Sequence, residues 1–111
     1  DSHAFWVNEL HDDAGERRAV EFGTSSISSP SPADSIGGLP LGLALMAANS
    51  REVKFCDQSS KGFVLLTLER EQATAELRAV STITAKPYRA STVKRYRVAR
   101  TVWGLGPLQE A

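Results

Sequence analysis

Two side chains at the start of the sequence are spaced for joint work on a cation. Asp1 and His3 flank a single serine, and residues two apart in an extended segment point the same way. A carboxylate oxygen and an imidazole nitrogen would then face one metal ion, or one each of two adjacent ions. Asp-x-His also arises often by chance, so solvated residues are the other reading of the same letters. No further strong cluster of ligand-type residues completes a shell around the pair.

Other candidates are weaker. His11-Asp12-Asp13 reads as a solvated turn after a helix, with His11 near that helix's C-terminus, where positive charge is favoured. Cys56, in the segment Val-Lys-Phe-Cys, reads as a buried structural thiol, since nothing near it in sequence would lower its pKa. The serine-rich stretch Thr24–Ser31 contains no G-x-S-x-G nucleophile elbow. A Ser-His-Asp triad exists on inventory alone, but triads are defined by geometry. Arg89, Lys94, Arg95, Arg97 and Arg100 give the last long strand a positive face. Glu69, Glu71 and Glu76 on neighbouring segments balance it, and aromatics there are too few for a base-stacking platform. Gly37-Gly38 lacks the Lys-Ser/Thr of a phosphate-binding P-loop.

The chain has 111 residues, the size of one ordinary domain. Thirteen basic and 13 acidic residues cancel to a net charge of zero, which argues against a dedicated nucleic-acid binder. A single cysteine excludes an intrachain disulfide. The most apolar run, Leu39–Ala48, is broken by Pro40 and Gly42 and falls short of the ~20 residues of a membrane span. The chain opens on Asp1-Ser2-His3, with no methionine and no basic leader.

The elements that must position these residues follow from periodicity. Trp6, Val7 and Leu10 fall three and four apart, which predicts a helix turn within 1–10. Ala19–Phe22 predicts a short strand, and the polar stretch 23–38 reads either as a low-complexity linker or as an ordered loop ending that strand. Leu41–Asn49 predicts a helix, with Pro40 near its first turn, apolar nearly all round and so either buried or covered by something else. Val53–Cys56, Phe63–Glu69, Ala73–Ile83 and Thr92–Val102 predict a four-strand meander. Phe63–Glu69, apolar on both faces at its start, is expected at its centre. Residues 104–111, with two glycines and a proline, are expected to be a flexible tail. The physical reading alone is an α+β chain, mainly β, without a named function.

The order of landmarks resembles one family. Asp1-Ser2-His3 followed by an aromatic stretch is similar to the G-D-x-H segment of alkaline phosphatase D-like (PhoD-like) metallophosphatases, less its glycine. Glu21-Phe22, then Ser26-Ile27-Ser28-Ser29-Pro30, matches the E-F-x-x-x-S-I-S-S-P run. Asn49 with Val53-Lys54-Phe55, then Lys61-Gly62-Phe63, continues the series. The resemblance spans about residues 1–99, and the order of the pieces is more specific than any one of them.

The resemblance implies the C-terminal segment of a calcineurin-like metallophosphoesterase two-sheet sandwich over residues 1–103, with one or two helices. It implies a phosphoric ester hydrolase acting on monoesters or diesters, with Asp1 and His3 as metal ligands and iron and calcium as the metals. Ser25, Ser26 and Ser28 would line the site and hydrogen-bond a group behind the ligands. It implies export, often by a twin-arginine leader. The remaining ligands would come from segments upstream, so the chain alone is expected to be catalytically inert and, with apolar surface exposed around Val20, Phe22 and Leu41–Met46, to self-associate. The alternative is a non-catalytic β-rich interaction domain derived from such an enzyme.

Overall fold

A computed structural model describes residues 2–39 and 41–111. The strands are β1 (Phe5–His11), β2 (Arg17–Gly23), β3 (Val53–Asp57), β4 (Gly62–Leu68), β5 (Gln72–Val80), β6 (Ala90–Thr101) and β7 (Gly104–Glu110). Between β2 and β3 lie two helices, α1 (Pro32–Ser35) and α2 (Leu41–Ala48). The strands form two antiparallel sheets, β2-β1-β3 and β4-β5-β6-β7.

The sheets face each other across one core. Phe5 and Val7 of β1 meet Leu77 of β5 and Tyr96 of β6, with Phe22, Phe55, Val64 and Leu108 packed around them. Phe5, Val7 and Leu77 are fully buried, and alternation does this. Ala75 and Leu77 face inward, while Glu76 between them faces out and pairs with Arg95 at 3.0 Å. This is the mainly β, two-sheet architecture that the sequence implies.

Several local expectations are corrected. Residues 5–11 form a strand, not a helix turn: β1 is central in its sheet, so it buries Phe5 and Val7 on one face and half-buries Trp6 on the other. His11 therefore ends a strand. It lies 3.8 Å from Glu9, which also meets Arg17 at 3.1 Å and Lys54 at 3.7 Å. Asp12 closes the next turn, accepting from the Glu16 N–H at 2.9 Å and the Arg18 guanidinium at 2.7 Å; both hold its carboxyl below the usual range.

The meander draws its fourth strand from the expected tail. Residues 104–110 are β7, paired with β6, and an edge strand is the place in a sheet that tolerates Pro107. β3 pairs with β1 in the other sheet. β4 lies at an edge rather than the centre, leaving Phe63, Leu65, Leu66 and Leu68 exposed. Gly62 is required where β4 starts, because a Cβ there would collide with the Arg78 carbonyl.

α2 forms as expected, and its apolar side chains Leu41 and Leu43 are exposed, as expected of a helix left without cover. It touches β3 through Gly42, whose missing Cβ leaves room for the Cys56 carbonyl, and Leu43 is 69% exposed. Pro40, expected near its first turn, lies outside the described residues. Among the described residues no helix is long and apolar enough to cross a membrane.

Candidate metal-ligand segment and its supporting loops

His3 sits just before β1, on a backbone with φ of 49°. Positive φ is uncommon for a residue with a Cβ and is kept only where the surroundings enforce it. The enforcing contacts come from the polar loop after β2. The His3 Nδ1 lies 2.8 Å from the Pro30 carbonyl oxygen. A carbonyl only accepts, so Nδ1 carries the proton, and in the neutral ring the lone pair is on Nε2. A backbone carbonyl behind Nδ1 is the usual way a metal-ligating imidazole is oriented.

The loop that presents this carbonyl is tied down by hydroxyls. Ser25 is buried; its Oγ donates to the Ser60 carbonyl at 2.6 Å and has the His3 carbonyl 3.4 Å away. Ser26 Oγ donates to the Ser29 carbonyl at 2.7 Å, and the Gly62 N–H donates to the Ser26 carbonyl at 3.0 Å. Ser28 is exposed. Thus Ser25 and Ser26 brace the loop's own backbone and its neighbour, while the Pro30 carbonyl is the loop group that touches the His3 ring. The sequence points to the loop by its hydroxyls. The carbonyl carries no residue-type signal, so only the Pro that ends the run marks the place.

The β3–β4 turn is braced by Asp57, and Asp34 and Ser31 tie the end of the loop to it through Lys61. Asp57 accepts from the N–H and hydroxyl of Ser59, both at 2.8 Å, and from the N–H and hydroxyl of Ser60 at 3.0 and 2.6 Å. Burial opposes its ionisation, yet those bonds outweigh it and hold the carboxyl below the usual range. Asp34 accepts from Lys61 Nζ at 2.7 Å and from the Ser31 N–H and hydroxyl at 2.7 and 3.0 Å. The Lys61 ammonium first, then Ser31, pulls its carboxyl down to about 2.

The aromatic residues beside the ligand segment serve the framework. Phe5 is in the core, and Trp6 donates its indole N–H to Ser2 Oγ at 2.9 Å. Cys56 is buried with its thiol pushed up to about 11, by burial first and then by Asp57, which leaves it inert as a nucleophile.

Asp1 lies outside the described residues. Among the described residues, no three His, Cys, Asp or Glu side chains come together to hold a metal. The donor set therefore fits a contribution to a metal centre, an imidazole with an oriented ring, and not a whole shell.

A solved structure titled as that of PhoD matches with a TM-score of 0.71 and 20% identity, covering 100% of this chain and 21% of that chain. The chain thus spans about a fifth of that protein's length, and at this identity the likeness is one of fold. No curated protein matches the sequence. The PhoD-like phosphatase family matches residues 1–77, well over half of the 111 residues, and the chain belongs to that family.

Proposed function

We propose that this chain is the C-terminal segment of a metal-dependent phosphatase or phosphodiesterase, to which it contributes Asp1 and His3 as metal ligands. The observation that carries this reading is the His3 ring, held at positive φ with Nδ1 on the Pro30 carbonyl. Backbone strain and an oriented imidazole at the same residue are a costly arrangement for a merely solvated histidine. Family membership supports the reaction class, hydrolysis of a phosphate ester.

In the longer enzyme the His3 imidazole would hold iron and the Asp1 carboxylate would suit calcium. Metal ions in such a centre polarise phosphoryl oxygens and make a bound water acidic. The chain's own part is to aim the ring, through Ser25, Pro30 and the Asp57 turn, so that the ligand is in place before substrate arrives. Two ligands hold an ion only weakly, and not tightly enough for catalysis, so the 111-residue chain is inert until the remaining ligands are supplied. Export follows the family.

Titration with Co2+ followed by NMR tests the site. The His3 ring signals should shift and broaden first, with His11 as internal control, and His3→Ala should abolish the effect. Equal response at His11, or none at His3, overturns the assignment. Hydrolysis of p-nitrophenyl phosphate by the chain, lost on His3→Ala, would overturn the claim of inertness. A second reading, a β-rich interaction domain without catalysis, draws on the exposed apolar residues of β4 and α2. It requires the His3 site to ignore metal.

A further inference from the structure

Ser2, the residue between the two candidate ligands, is held from within β1. The indole N–H of Trp6 donates to Ser2 Oγ at 2.9 Å, across four residues of sequence. An extended chain would separate those two Cα atoms by about 13 Å, more than the two side chains and one hydrogen bond can span. The contact exists because the chain bends at His3 and Ala4 before β1 begins, and His3 is where φ turns positive, at 49°. The Trp6–Ser2 bond therefore closes the segment 2–6 on itself, with the His3 backbone inside the closure.

The indole is placed by what lies beside it. Trp6 stands opposite Gly23 where β1 pairs with β2. A Cβ at Gly23 would come within 3.0 Å of the Trp6 Cβ and within 3.4 and 3.5 Å of two ring carbons, so a side chain there would push the indole aside. Gly23 is not among the glycines with positive φ; its use here is room for the ring and not backbone freedom. With Cys56 opposite on β3, Trp6 belongs to the centre of its sheet. The loop after β2 acts on His3 separately, through the Pro30 carbonyl on the ring and Ser25 Oγ 3.4 Å from the His3 carbonyl. That loop can aim the imidazole, but the path of the backbone through His3 needs a fixed point on each side. Ala4, fully buried, is the fixed point after it. Ser2 before it is exposed, and the Trp6 indole ties it down.

We infer that Trp6 is a positioning residue for the metal-ligand segment: seated on Gly23, it fixes Ser2 and with it the bend that presents His3. The inference rests on the reading of His3 as a metal ligand. A buried or half-buried tryptophan usually finds a partner for its N–H; here the partner lies inside the ligand segment itself, on the far side of the strained residue. Holding a ligand in its bound geometry before the ion arrives removes an ordering penalty from binding. Loss of the hold therefore appears as weaker metal binding at His3 and not as a change of fold.

Co2+ titration of the 111-residue chain, followed at the His3 ring signals, tests this with Ser2→Ala, Trp6→Phe and the variant carrying both. Ser2 is exposed, so Ser2→Ala leaves the core alone even if Trp6→Phe loosens the sheet. Each single variant should need about two- to tenfold more Co2+ for half of the His3 response, the worth of one hydrogen bond. The double variant should need no more than the weaker of the two singles, because both remove the same bond. Ser2→Thr, which keeps the hydroxyl, should respond as the parent does. Without metal, the close amide-to-Hα contact of a left-handed His3 should weaken in Ser2→Ala, and Gly23→Ala should shift the Trp6 indole N–H signal. Effects of Ser2→Ala and Trp6→Phe that add in the double variant would overturn the inference. So would a Ser2→Ala chain that responds like the parent, or a Ser2→Thr chain as weak as Ser2→Ala. A parent chain whose His3 ignores Co2+ overturns instead the metal reading, and the inference falls with it.

Discussion

β1 and β4 open on similar letters, Phe5-Trp6-Val7 and Phe63-Val64-Leu65-Leu66, and meet opposite fates. β1 has a strand on each side and the second sheet above it, so Phe5 and Val7 are sealed. β4 has one neighbour, and most of its large side chains are exposed. Apolar content alone therefore does not decide which strand carries the core; the number of covered sides does. The candidate ligand sits immediately before the sealed strand, where a rigid framework can hold an unfavourable φ at His3. The sharpest way to break this contrast is to cut the core at β1. Phe5→Ala should cost about 3–5 kcal/mol, a large part of the stability of a small domain. Urea unfolding should show the midpoint falling steeply or the chain unfolded in buffer. A loss below about 1 kcal/mol would mean that β1 is not the sealed strand.

Next in size is the link from β1 to its loop. Ser25→Ala removes the hydroxyl that binds the Ser60 carbonyl and leaves that acceptor without this bond in a part-buried place. The expected cost is about 1–3 kcal/mol. The same variant should free the Pro30 carbonyl to move, so the Nδ1–H signal of His3 should exchange faster with water than in the parent. If stability falls and that signal is unchanged, the loop does not act through Ser25, and Pro30 is held by the β3–β4 turn alone.

The sequence made some of this legible and hid the rest for physical reasons. β2, β3, β5 and β6 were readable because their alternation, or a short β-branched and aromatic run, has no helical counterpart. β1 was not: Trp6, Val7 and Leu10 satisfy a helical spacing as well as a strand, and only the two flanking strands, far off in sequence, decide it. Pro107 and the glycines made β7 look like a tail, because turn chemistry and an edge strand use the same residues. α2 was readable as a helix in need of cover, and its exposed Leu41 and Leu43 show that an apolar helix states that need and not its satisfaction. For the site, the loop was visible in its serines, but the loop group that meets the His3 ring is a backbone carbonyl, which any residue type supplies.

A smaller effect is confined to acid. Asp34, paired with Lys61, has its carboxyl held at about 2, below an ordinary value near 3.8. A depressed carboxyl stabilises the fold above its unfolded pKa and ceases to do so as pH falls through the folded one. The corner formed by Ser31, Asp34 and Lys61 should therefore hold at pH 5 and loosen between about pH 4 and pH 2. Asp34 is half exposed, which limits its effect on global stability. Amide exchange at Ser31 and Asp34 should rise across that window, and Asp34→Asn should make exchange there independent of pH once the intrinsic rate is divided out. A corner that loosens identically in both proteins would assign the acid sensitivity to Asp57 instead.

The smallest change in stability should bring the largest change in assembly, and it tests the other half of the contrast. β4 carries no charge, no proline and no register shift along its pairing with β5, so it has none of the devices that keep an edge strand from adding another. Leu65, 45% exposed, stands on the outer face of that edge. Leu65→Lys puts a charge there without touching the core, so unfolding should shift by no more than about 0.5 kcal/mol. The parent chain should sediment as more than a monomer, and the variant should move toward monomer because a charge on the edge strand disfavours the addition of another strand. A parent that is already monomeric, and binds no dye for exposed apolar surface, would show that β4 is satisfied with one neighbour. The comparison with β1 would then rest on burial alone, with no consequence for association.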